Sequence, residues 1–369
     1  MSRLFLFGTL CWPDLLETVA GEPVACRPAR LDGWHVERAA AGDWPVLVPG
    51  GRAEGLLTEL LSDAARARLD WYEVAFGYVP EAVEVESDGA IPALVYREVG
   101  GGGSGEPWDL AAWIKRHGAR TRLAAEEVMR AHGRVSPEAL QARRPMIHAR
   151  AHGMLMAQAD RRPVTVGGPP PGRIEVARVD YPYEGFLRVE EWVLDHPHFD
   201  GSRSGQIHRT LTHVTNAATV LPYDPVRDRV LMVEQIRLGA LAKGEAAPWM
   251  LEPIAGLIDA GETAASTALR EAREEAGLEL GPEALHPVAT YYPSPGGLAQ
   301  IVYSFVALAD LPEGTGGLHG LDHEAEDIRS HLVDLDHALS MIATGEAANA
   351  PLILSLQWIA LNRERLKAD

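Results

Sequence analysis

The segment PVTVGGPPPGR, residues 163–173, limits the fold of this chain more than any other stretch. Consecutive prolines lack amide donors and favour extended polyproline, so neither a helix nor a central strand can cross it. The chain has 369 residues, more than one comfortable core. The segment therefore predicts a domain over 1–160, a Pro/Gly linker over 161–173 and a second domain over 174–369.

Charge and cysteine content narrow the classes. Asp and Glu number 52 against 34 Lys and Arg, a net −18, which repels phosphate backbones and argues against a nucleic-acid partner. No apolar run is long enough to span a bilayer, so no membrane partner is expected. The start, MSRLFLFGTLCW, is interrupted by Gly8 and followed by no small-residue cleavage site, so it reads as a first strand rather than a secretion signal. With only Cys11 and Cys26, a reduced, cytoplasmic setting is expected.

The front half has strand-like runs near 3–10, 34–37, 54–60 and 79–85, then a helical stretch over about 107–158. GGGGSG, residues 100–105, lacks the Lys-Ser/Thr pair of a phosphate cradle and reads as a flexible tether. His148 and His152 in HARAH are spaced i, i+4 with no catalytic Glu between them, and read as surface-helix residues. In the second half, IEVARVDYP and FLRVEEWVLDH read as strands, and VTNAATVLPYDP with RVLMVEQIRL as a hairpin. A closing helix is expected over about 350–366, giving an α+β chain.

The chemistry concentrates in GLIDAGETAASTALREAREEAGL, residues 256–278. A helix from about Thr263 to Ala276 sets Glu271, Glu274 and Glu275 at i, i+3 and i+4 on one face, with Arg270 able to pair with Glu274 and Gly277 as C-terminal cap. Like charges so placed repel by a few tenths of a kcal/mol, about 0.2–0.5. Clustered oxygens instead suit Mg²⁺, a hard cation that prefers carboxylates, water and phosphate.

Gly256, Glu262, Arg270, Glu271, Ala272, Glu274, Glu275, Gly277 and Leu278 together resemble the full Nudix box. The flanks over about 174–369 are similar to the ADP-ribose pyrophosphatase branch: WMLEPIAGLID before the box, MVEQIR, SPGG at 294–297, HGLDHEAEDIRSHLVDL and the closing helix. The resemblance implies an α/β/α sandwich that uses Mg²⁺, or Mn²⁺ in its place, to hydrolyse a nucleoside diphosphate sugar such as ADP-ribose to AMP and ribose 5-phosphate. It implies Glu271 and Glu275 as chief metal ligands, assisted by Glu274, the Ala255 carbonyl and Glu326, with Glu324 as base on the water. Arg237 would grip phosphate or ribose, and Arg209 would reach the adenosine side. Thr210 and Gln300 stand where the branch carries acids, a departure at the base-binding contacts. The branch also implies a homodimer that exchanges its N-terminal strands, here about 174–205.

In the front half, FLFGTL (5–10) and LDWYEVAFGY (69–78) resemble the γ-glutamylcyclotransferase-like, or AIG2-like, fold. That resemblance implies a β-barrel with the helical stretch appended, in which Phe7, Gly8, Thr9 and Leu10 form a ligand loop and Glu73 moves protons. The ligand would be a γ-glutamyl amine. Phe7 replaces a common Tyr, and Val79-Pro80 stand where a basic residue often follows, so an active cyclotransferase and an inactive binding barrel both stay open. The fusion resembles Nudix proteins linked to bacterial tellurite resistance. Two rival expectations remain: a cyclotransferase whose Nudix half senses a nucleotide, and a non-catalytic metabolite-binding interaction protein.

Overall fold

The computed structural model describes residues 2–98, 100–160, 162–320 and 327–367. Its contacts divide the chain into two compact units, Met1–Ala151 and His152–Asp369. Residues 163–173 carry neither helix nor strand.

In the first unit the elements run β1 (Phe5–Leu6), α1 (Pro13–Ala20), β2 (Cys26–Ala39), β3 (Pro45–Thr58), α2 (Asp63–Ala75), β4 (Tyr78–Glu86), β5 (Ala90–Glu98) and β6 (Gly103–Pro107), followed by α3 (Leu110–Trp113), α4 (Ala119–Arg130) and the start of α5 (Pro137–Ala159), whose residues from His152 on belong to the second unit. The strands form one antiparallel sheet in the order β1-β3-β2-β4-β5, with β6 against β2. Its ladders form no closed barrel among the described residues, in contrast to the barrel expected; one parallel bridge, Leu4 to Leu94, relates the strands at its two ends. Side chains alternate across the sheet, so Phe5, Leu57 and Val95 pack one core while Leu4, Leu6 and Tyr96 join the helices in the other. The supposed tether at 100–105 is partly strand. Gly103 pairs with Ala39, and the Gly105 amide donates to Glu37 at 2.8 Å, so pairing overrides the flexible composition.

The second unit continues with β7 (Glu175–Glu184), β8 (Arg188–Asp195), β9 (Ile207–His213), β10 (Ala217–Asp224), β11 (Arg229–Ile236), α6 (Leu238–Ala242), β12 (Trp249–Glu252), β13 (Ile254–Leu257) and α7 (Ala264–Ala276). Then come β14 (Leu285–Tyr291), β15 (Leu298–Ala299), β16 (Val302–Leu308), β17 (Leu318–His319), β18 (Ile328–Asp334), α8 (Leu335–Thr344) and α9 (Ala350–Leu366). The central mixed sheet has the order β14-β16-β10-β11-β18-β17, with β12 on β11 and β13 on β10. Ala218, Val220, Leu231 and Val233 face α7, while Leu221, Tyr223, Val230 and Met232 face α8 and α9. The period of two thus produces the expected α/β/α sandwich. A separate sheet, β15-β9-β8-β7, holds the N-terminal strands. Among the described residues no helix is long and apolar enough to cross a membrane.

Candidate active sites

Helix α7 is built to place carboxylates. Thr263 caps it, accepting from the Ser266 amide at 3.0 Å while Ser266 Oγ accepts from the Thr263 amide at 2.9 Å. Ala264, Ala268, Ala272 and Ala276 bury its inner face, and their small size lets the backbone approach the sheet. Gly277, at φ +65°, ends the helix in the left-handed region.

The acids do not stand apart. Arg270 pairs with Glu262 at 3.0 Å, Glu271 at 2.7 Å and Glu274 at 2.9 Å, so one guanidinium relieves the repulsion among three carboxylates. Its hydrogen bonds to Glu262 above all hold the Arg270 cation well above the usual arginine range. Burial would raise the Glu262 carboxyl, but bonds from Arg270, Thr267 and the Asp259 amide outweigh it and hold it low. Glu275 is only 2% exposed and accepts from the Ala255 amide at 3.1 Å. A Cβ on Gly256 would lie 1.7 Å from Glu271 Oε1, so only glycine lets this carboxylate lie against β13.

These two contacts bring Glu271, Glu275 and the β13 backbone at 255–256 together. Hard oxygen donors of this kind fit a divalent cation, although no group of three or more His, Cys, Asp or Glu converges as a closed metal cage among the described residues. Glu324 and Glu326 lie outside the described residues. Arg237 follows β11 as expected, but its guanidinium is held by Glu252, with Nη2 at 2.5 Å, and Asn349 holds the other Glu252 oxygen at 2.9 Å. Arg209 stands exposed on β9 of the separate sheet, donating to the His208 carbonyl at 2.8 Å. Gln300 donates to the Thr215 carbonyl at 3.1 Å.

The first unit contains a cavity of about 530 Å³. It brings together all five residues expected there: Phe7, Gly8, Thr9, Leu10 and Glu73. A short 3₁₀ turn, Thr9–Cys11, leads into α1, and a Cβ on Gly8 would lie 2.4 Å from Pro45 Cγ. Glu73 stands on α2 beside Tyr72, Phe76 and Tyr78, half-covered and facing the cavity. Burial pushes its carboxyl up to about 8, which favours the protonated form and lets it exchange a proton near neutrality.

The helical stretch supplies cavity residues that sequence reading missed. His148, expected on a surface helix, is half-buried and lines the cavity with Arg120 and Arg144. His152 is also half-buried, its Nε2 bonded to the Glu262 carbonyl at 2.8 Å. The i, i+4 spacing of the two histidines signals a shared helix face and nothing about the cavity.

Comparison with known proteins completes the picture. The family model "NUDIX domain" matches residues 213–356, and "Gamma-glutamyl cyclotransferase, AIG2-like" matches 4–106. The "ADP-ribose pyrophosphatase" of Escherichia coli (strain K12) is 37% identical over 214 residues, covering 58% of this chain and 99% of that protein. The chain belongs to the NUDIX family. Haemophilus influenzae "ADP-ribose pyrophosphatase" is 36% identical, covering 53% of this chain and 89% of the relative. The "GDP-mannose pyrophosphatase" of Citrobacter koseri is 31% identical, covering 39% of this chain and 73% of its own length. The Nudix model spans Arg237, Ala255 and α7, and the AIG2-like model spans the 7–10 turn and Glu73.

Proposed function

We propose that the Nudix unit hydrolyses ADP-ribose, or a closely related nucleoside diphosphate sugar, to AMP and ribose 5-phosphate with Mg²⁺. The observation that carries this reading is the α7 carboxylate set docked on 255–256, in a chain that spans 99% of a named ADP-ribose pyrophosphatase at 37% identity. In the reaction, water oxygen attacks one phosphorus as the bridging P–O bond breaks, and the water's proton leaves to a base. Bound divalent cations would neutralise the pyrophosphate charge and lower the pKa of water. Glu271 and Glu275 would hold the cation, with the Ala255 carbonyl and Glu274 assisting. Arg270 positions Glu271 and Glu274 through its two ion pairs. Glu326 as a further ligand and Glu324 as base are proposed from the sequence resemblance. Arg237 would turn its donor fork to phosphate when substrate competes with Glu252, and Arg209 would serve the adenosine side.

A homodimer is part of the proposal, supported by β7, a ten-residue edge strand with Val176 and Tyr183 exposed. The 161–173 segment would be the linker between a front domain and a Nudix domain, and the cytoplasm the working compartment. For the front unit we propose cyclisation of a γ-glutamyl amine with Glu73 as acid and base, a reading favoured by its raised pKa in the cavity.

The test incubates purified chain with Mg²⁺ and a panel of ADP-ribose, GDP-mannose and other nucleoside diphosphate sugars, then identifies products. AMP and ribose 5-phosphate in equal amounts are expected. Turnover of another panel member without AMP from ADP-ribose overturns the substrate assignment, and wild-type rates in Glu275→Gln overturn the metal assignment.

A further inference from the structure

The cavity of the first unit has a wall beyond the AIG2-like match, which ends at residue 106. Arg120 comes from α4, and Arg144 and His148 from α5, yet all three line the cavity with Glu73 and the 7–10 turn. The Arg144 guanidinium stacks on Phe76, with Cζ 3.9 Å from the ring centroid. Stacking occupies the face of the group and leaves its in-plane donors. Arg144 Nε is buried without a hydrogen-bond partner among the described residues, and so is Arg120 Nε. Arg120 does bond through Nη2 to His117 Nδ1, at 3.2 Å.

No cavity carboxylate neutralises this pair among the described residues. Asp43 is engaged by Arg116 at 3.0 Å and His117 at 2.7 Å, and Glu98 accepts from Trp44 Nε1 at 3.1 Å. Burial raises the Glu73 carboxyl and favours its uncharged form, and no ion pair joins it to either arginine among the described residues. Burial draws both guanidinium groups below the usual arginine range, and burial with the two arginines draws His148 down to about 4. Half-buried cations whose Nε atoms are shut off from solvent are costly without a counter-charge, and a bound anion reduces that cost. The cavity volume of about 530 Å³ suits a small molecule, and the rings of Phe5, Phe7 and Trp113 suit an organic body.

We propose that this cavity binds a small organic anion whose carboxylate seats on Arg120 and Arg144, so that the helical extension selects the ligand. The planar forks match a carboxylate's two oxygens. The proposal stands whether or not Glu73 transfers a proton.

Calorimetric titration of the full chain with glutarate, L-glutamate, neutral glutaramide and inorganic phosphate tests it. A carboxylate is expected to bind at least tenfold more tightly than glutaramide. Arg120→Met and Arg144→Met should each weaken it at least tenfold, while Arg144→Lys retains part. The unliganded Arg144→Met chain should melt no lower than the parent, because a half-buried charge without a counter-ion is gone; a lower melting temperature with unchanged carboxylate affinity would mark a purely structural arginine and overturn the proposal. Equal binding of glutaramide overturns the proposal, as does unchanged carboxylate affinity in both Met variants. Binding of phosphate with neither carboxylate bound also overturns it.

Discussion

Gly256 and Glu271 share a volume that admits one Cβ-free residue and one carboxylate. Gly256→Ala puts a methyl group where Glu271 Oε1 now lies, and the carboxylate must move. Displacement of a reacting group by about 1 Å costs on the order of 100-fold. We expect kcat/KM for the pyrophosphatase to fall by about that factor at saturating Mg²⁺ while the melting of the first unit is unchanged. A loss under threefold would show that Glu271 need not lie there. Glu73 allows a test of opposite sign. Its folded pKa, about 8, is above the ordinary value of 4.5, so the folded state holds a proton that the unfolded chain releases. The associated stability is full below pH 4.5 and is lost as pH rises through 8. Glu73→Gln should therefore raise the melting temperature at pH 8.5 relative to the parent and leave the difference near zero at pH 4. A stabilisation of the same size at both pH values would contradict the burial argument. Sequence showed which residue to test, since Trp71, Tyr72, Phe76 and Tyr78 surround Glu73 within ten positions. It could not show the degree of enclosure, which depends on distant helices.

At the scale of elements, α7 was legible because local signals agree: alanines at helical spacing and a terminal glycine point to one helix, and the structure adds Thr263 as its N-terminal cap. Thr263→Ala removes the cap and should lower stability of the second unit by about 1 kcal/mol, read from chemical denaturation. It should leave KM unchanged, because Arg270, Glu271 and Glu274 sit in the later turns. A KM change at unchanged stability would mean that the cap positions the site rather than the helix. Strand β6 was illegible for the opposite reason. Gly and Ser favour no local structure, and Gly103–Pro107 becomes a strand only through partners sixty or more residues earlier on β2. The helix carrying His148 and His152 shows a third case. Spacing revealed the common face, while the residues covering that face come from elements that no local pattern identifies.

At the scale of the molecule, the contacts divide the chain after Ala151, ahead of the proline segment, and each unit has its own apolar clusters. Leu4, Leu15, Leu69 and Leu140 belong to one cluster of the first unit, and Val220, Ile254, Ala272 and Ile328 to one of the second. The far wall of the cavity in the first unit was hidden because Arg120, Arg144 and His148 stand more than a hundred residues beyond the 7–10 turn. Cores built from separate stretches imply separate cooperative transitions. Calorimetry of the full chain should then show two melting peaks. A ligand of the folded state at 100 times its Kd stabilises that state by about 2.7 kcal/mol. Mg²⁺ with AMP should shift one peak upward, a cavity carboxylate the other, and Glu275→Gln should abolish the first shift alone. A single transition moved by either ligand would sink the idea that the two chemistries are energetically separate, because binding in one unit would then be stabilising both cores at once.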